Sequence, residues 1–88
     1  MGYERTLIAS EVERHFIYIN RDYRSMFPLP HEKFKLIVGG KKFDVCLDSY
    51  GRLWGAVFWK KLGKIKIGDK VVIVKKSDDT FILKKKGR

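Results

Sequence analysis

From Thr6 to Pro28 the chain reads TLIASEVERHFIYINRDYRSMFP, an order of elements that leaves few folds open. Thr6–Ser10 is a short apolar run suited to a first strand, and the polar Ser10–Arg14 segment suits a loop. His15–Asn20 (HFIYIN) is β-branched and aromatic, which predicts a second strand. Asn20 or Arg21 then opens a short helix with Tyr23, Met26 and Phe27 at helical spacing. Pro28 and Pro30 stop it, because proline has no N–H to continue the hydrogen-bond ladder.

A second strand-and-helix unit follows. Phe34–Val38 and Lys41–Leu47 are predicted strands around Gly39-Gly40, a turn that glycine's tolerance of positive φ allows. Period-two alternation turns Phe43, Val45 and Leu47 inward and leaves Lys42, Asp44 and Cys46 on the other face. Asp48–Arg52 is a turn cluster, Leu53-Trp54 a brief strand, and Ala56–Leu62 a short helix with Gly63 as its C-cap. Ile65 and Ile67 alternate before a turn at Gly68-Asp69. Val71–Val74 and Thr80–Leu83 form a closing hairpin around Ser77-Asp78-Asp79. The fold class expected is mainly β with two short helices, one domain over residues 1–88, a small barrel rather than a layered α/β domain.

Charge narrows the partner. The formal net charge is +10, of which residues 60–88 carry +8 and residues 1–59 only +2. A small domain this basic points to a polyanion, nucleic acid first, with a lysine-rich surface serving only solubility as the plainer reading. Residues 84–88, KKKGR, read as a basic C-terminal tail. No segment approaches the roughly 20 apolar residues that span a bilayer, and the opening residues lack the apolar core of a signal peptide. Cys46 is the single cysteine, which fits a reducing compartment. The expectation is an intracellular monomer, cytoplasmic in a prokaryote, with a nuclear setting still open.

Covalent chemistry is hard to assemble from these residues. His15 and His31 flank the first helix, and with one cysteine they give no zinc-type spacing. Glu11 and Glu13 on one side of an extended segment resemble a carboxylate pair, but a solvated loop explains them. Gly39-Gly40 lacks the Lys-Ser/Thr of a phosphate loop. No enzyme activity, cofactor, metal or small-molecule substrate is expected.

Leu7-Ile8-Ala9-Ser10-Glu11, Phe16–Ile19 and Phe27-Pro28 resemble, in that order, the opening of the B-three DNA-binding domain of plant auxin-response and vernalisation-type regulators. A related fold is the effector domain of restriction enzymes such as EcoRII. The match continues through Phe43–Leu47, Tyr50-Gly51-Arg52, Gly55–Trp59 and Ile65–Asp69. Ala56 stands where the family usually has tryptophan, and the arm loop at Asp48–Arg52 is short.

The resemblance implies a DNA-binding pseudobarrel, an open seven-stranded barrel that grips the major groove of double-stranded DNA with two loop arms. The N-arm would be Ser10–His15 with the start of the next strand, including Ile17, and the C-arm Asp48–Arg52. Arg14 is the first candidate for a base contact, since a guanidinium pairs bidentately with guanine; a surface ion pair to Glu11 or Glu13 is the alternative. His15, Arg52, Tyr50 and Ser49 are matching candidates, although Tyr50 could cover the core edge and Ser49 could simply form the turn. Glu11, Glu13 and Asp48 are awkward on a DNA face: they would accept from cytosine, orient the arginines, or mark a surface that binds something else. Lys41, Lys42, Arg21 and Arg24 suit phosphate contacts, which position without reading sequence. Of Trp54, Phe58 and Trp59, at least two are expected in the core rather than in a base-stacking platform. Other readings remain: an AbrB-type swapped-hairpin dimer built on Gly68–Lys86, a basic RNA-binding barrel, and a protein-interaction adaptor.

Overall fold

The computed structural model describes residues 2–87. Seven strands form two sheets: β1 (Gly2–Thr6), β2 (Phe16–Tyr18), β3 (Phe34–Val38), β4 (Lys41–Val45), β5 (Arg52–Trp54), β6 (Lys70–Ser77) and β7 (Thr80–Lys85). Five of them make a mixed sheet in the order β1-β6-β7-β3-β4, and β2 pairs β5 in a separate ribbon. All contacts are antiparallel except β3 with β7, where Leu36 lies beside Phe81 and Val38 beside Leu83. The sheets do not join into one closed barrel; an isolated bridge from Leu47 to Leu53 links the end of β4 to β5.

The periodicities of the sequence explain the burial. Tyr3, Leu36, Val38, Val71, Ile73, Phe81 and Leu83 are buried at alternate positions of the large sheet. Ile17 and Leu53, opposite each other in the ribbon, join the same cluster with Met26, Phe27, Phe58, Trp59 and Leu62. Phe27 stacks on Phe81 at 4.7 Å between centroids, and Phe34 meets Phe81 edge-on at 5.0 Å. Aromatic pairs in these geometries contribute about 0.5–1.5 kcal/mol each beyond their burial.

The two hairpins and their turns stand as read from the sequence. Gly39 and Gly40 both have positive φ, Phe43, Val45 and Leu47 turn inward, and β6–β7 turns at Asp78-Asp79. The two expected helices are both 3-10, over Arg21–Met26 and Trp59–Leu62, the second shorter than the predicted Ala56–Leu62. Ile65 and Ile67 lie in irregular chain, with Ile67 exposed.

Three expectations need correction. The first strand is Gly2–Thr6, not Thr6–Ser10, because Tyr3 and not Ile8 is the residue that fits the core opposite Ile73. Ser10–Arg14 is not a loop: Ala9–Arg14 form a short α-helix, α1. Finally, Lys84 and Lys85 are the last residues of β7 rather than a free tail, and the Lys86 amide donates to the Lys70 carbonyl at 2.8 Å. Arg88 lies outside the described residues. The β6–β7 hairpin is flanked on both edges by β1 and β3 of its own chain, which leaves it no free edge to swap.

Candidate nucleic-acid interface

The N-arm is organised by one buried carboxylate. Glu11 is 0 % exposed, the single charged side chain buried among the described residues. Its oxygens accept from the Arg5 guanidinium at 3.1–3.2 Å, from the Ile8 amide at 3.0 Å and from the Tyr18 amide at 2.7 Å. Reaching back to the amide before the helix supplies half of a capping box, so a helix of only six residues is held without an apolar stripe. The reading of Glu11 as a solvated loop residue is therefore overturned. Glu13 is exposed.

α1 ends at His15, whose left-handed backbone (φ 60°) turns the chain into β2. Histidine tolerates this region better than bulky residues do. Its carbonyl accepts from the Gly55 amide at 2.7 Å, and its ring stacks on Trp59 at 5.0 Å with 11° between planes. Ile17, expected in the arm, is fully buried between the sheets and has no side-chain surface to offer a ligand.

The C-arm is built around Asp48. Its Oδ1 accepts the amides of Tyr50 and Arg52, and its Oδ2 accepts Arg52 Nε at 2.7 Å and the Trp54 indole N–H at 2.9 Å. All acceptor directions face the loop itself. Burial alone would raise the Asp48 pKa, but the bonds from the Arg52 amide, the Trp54 indole, the Arg52 guanidinium and the Tyr50 amide prevail and hold it at about 2, down from 3.8. A depressed folded-state pKa contributes loop stability that is present above the ordinary carboxylate value and lost as pH falls through about 2. Trp54 fluorescence is thus expected to stay constant down to about pH 4 and to change between about pH 4 and 2. An Asp48→Asn variant should show no such acid step; the same step in that variant would assign it to another group.

A second tie joins the arms. Arg24 donates through Nε to the Ile19 carbonyl at 2.9 Å, and through Nη2 to the Tyr18 hydroxyl at 2.7 Å and the Tyr50 carbonyl at 2.9 Å. It was expected at phosphates; its guanidinium is instead a bolt between the end of β2 and the C-arm. Nothing in its sequence context marks that role.

The two arms meet over one ring. The Arg14 guanidinium lies 5.6 Å from the Trp54 ring centroid and that of Arg52 lies 5.0 Å from it. Arg52 also sits 4.9 Å from the Tyr50 ring. Arg14 makes no ion pair to Glu11 or Glu13. Phe58 and Trp59 are in the core, whereas Trp54 is 37 % exposed. Alternation with the buried Leu53 is the sequence signal for this, since consecutive strand residues face opposite ways.

Ser10 and Glu13 are exposed on α1, Ser49 and Tyr50 on the C-arm, and Arg21 at the start of the first 3-10 helix. Lys42 is exposed on β4, the outer strand of the large sheet, rather than on the ribbon that carries the arms. Beside the start of α1, Leu7 exchanges backbone bonds with Gly68 and Asp69. There, a cleft of about 730 Å³ is lined by Lys66, Lys70, Lys85, Lys86 and Asp69. Lys85 pairs with Asp69, and Lys70 and Lys86 with Glu4. Among the described residues, no group of three or more His, Cys, Asp or Glu side chains is placed to hold a metal ion, and no helix is long and apolar enough to cross a membrane.

No family model and no curated protein matches the sequence. Among solved structures, the N-terminal domain of Helicobacter pylori LlaJI.R1 is similar, with a TM-score of 0.79 and 13% identity over 97% of this chain and 86% of that one. At that identity the likeness is one of fold.

Proposed function

We propose that this protein is a non-enzymatic, double-stranded DNA-binding module of the B-three-like kind, acting as a monomer through α1–His15 and Asp48–Arg52. The observation that carries the reading is the convergence of Arg14 and Arg52, from separate arms, on Trp54. The ribbon between the arms is three residue pairs long, about 10 Å, and the B-DNA major groove is about 12 Å wide. The net charge of +10 supports an anionic partner, and the lysines around the Lys66–Lys70 cleft, next to the start of α1, suit flanking phosphates. The fold likeness is compatible with this role.

The test is competition between duplex DNA and single-stranded RNA at two salt concentrations. Duplex is expected to win, with log K falling by about 0.9 per neutralised phosphate for each decade of salt. The Arg14→Ala/Arg52→Ala double variant is expected to lose about 1–3 kcal/mol per residue on a preferred duplex while remaining folded, as its circular dichroism at the assay temperature should show. Preference for RNA favours the RNA-barrel reading, and salt-insensitive capture of a protein favours an adaptor. Unchanged duplex affinity in the double variant rejects the two-arm reading.

A further inference from the structure

The geometry points to Arg14 and Arg52 as a pair of guanine readers, with Trp54 as the positioning residue that holds both. The inference deepens the duplex-binding reading and rests on it. Asp48 takes Arg52 by Nε alone, so the Nη1/Nη2 edge is unbonded among the described residues. That edge is the one that pairs with the O6 and N7 acceptors of guanine in the major groove. Arg52 is flanked by the Tyr50 and Trp54 rings at 4.9 and 5.0 Å, so its side chain is placed before any ligand arrives. Arg14 has no hydrogen-bond or ion-pair partner among the described residues, and its guanidinium lies over the Trp54 ring at 5.6 Å.

Trp54 is itself fixed. Its indole N–H donates to Asp48 Oδ2 at 2.9 Å, and its ring packs on Phe16 at 4.9 Å. One ring thus registers a guanidinium from each arm, and the spacing between the two readers becomes a property of the protein. Pre-organisation of this kind lowers the ordering cost of recognition and raises discrimination more than non-specific affinity. The target class that follows is a duplex with two guanines in fixed register, one per arm. Lysine would replace either arginine only in part, since an ammonium can reach O6 or N7 but has no planar fork.

The experiment selects preferred duplexes for the full chain from a randomised library, then replaces each guanine by 7-deazaguanine, which lacks the N7 acceptor. Two positions are expected at which the replacement weakens wild-type binding about tenfold. Arg14→Lys should blunt the sensitivity at one of them and Arg52→Lys at the other, with affinity for random duplex within about twofold because the charge is kept. Trp54→Ala should flatten both sensitivities, and Trp54→Phe, which keeps a ring, should restore most of them. Melting temperatures of all four variants control for folding. Duplex binding without guanine sensitivity, or with sensitivity unchanged in the lysine variants, overturns the inference and leaves the duplex-binding reading standing. Trp54→Ala behaving as wild type removes Trp54's positioning role. No duplex binding by the wild type overturns both readings.

Discussion

Glu11→Ala is expected to lower the unfolding free energy by about 3–5 kcal/mol, read from urea denaturation. Domains of this size hold about 0.05–0.15 kcal/mol per residue, so the loss is a large part of the whole. The substitution leaves the Arg5 guanidinium facing a buried void and strips the Ile8 and Tyr18 amides of their acceptor. Each unpaired buried group then bears its full desolvation cost. Adding Arg5→Met to Glu11→Ala should recover only part of the loss, because the two amides still lack a partner. Glu11→Gln keeps one acceptor oxygen and should fall between. Wild-type stability in Glu11→Ala would mean that α1 is held by something other than this carboxylate.

Gly51→Ala is expected to cost about 3–5 kcal/mol and to disorganise the C-arm. The residue has φ +84°, where a side chain costs roughly 1–2 kcal/mol. The added Cβ would lie 2.3 Å from Arg24 Nε, so the guanidinium must leave its place. With it go bonds to Ile19, Tyr18 and Tyr50, of which each charged one is worth about 1.5–3 kcal/mol. A double-mutant cycle separates the two causes. Because Arg24→Ala clears the obstruction, Gly51→Ala should cost only its backbone share in that background. Additive effects would show that the clash is absorbed elsewhere.

Both residues mark where the sequence was opaque. The hairpins and turns were legible because glycine pairs, alternation and an Asp-Asp turn are local signals. Helix α1 carries none: AlaSerGluValGluArg has no apolar stripe, and its stability comes from Arg5 and Tyr18, contacts that exist only after folding. Local pattern likewise set the first strand too late, since the five residues before Thr6 are mixed in polarity and only Tyr3 announces them.

Arg14 and Arg52, read from separate segments of the sequence, lie on one side of the molecule, both beside Trp54. Asp48 follows one of its expected roles, holding Arg52 by Nε, while its other acceptor positions are taken by the Tyr50 and Arg52 amides and the Trp54 indole. Arg24 looked like a phosphate contact and is a bolt. Such roles depend on which backbone carbonyls come within reach, which residue type does not encode.

The order of strands has a consequence during synthesis. β6 and β7 occupy the middle of the large sheet, between β1 and β3, although they are the last strands made. A chain released after residue 69 would carry both arm segments but no central strands to brace them. Bracing of both arms by the large sheet accordingly requires residues 70–85 to be paired between β1 and β3.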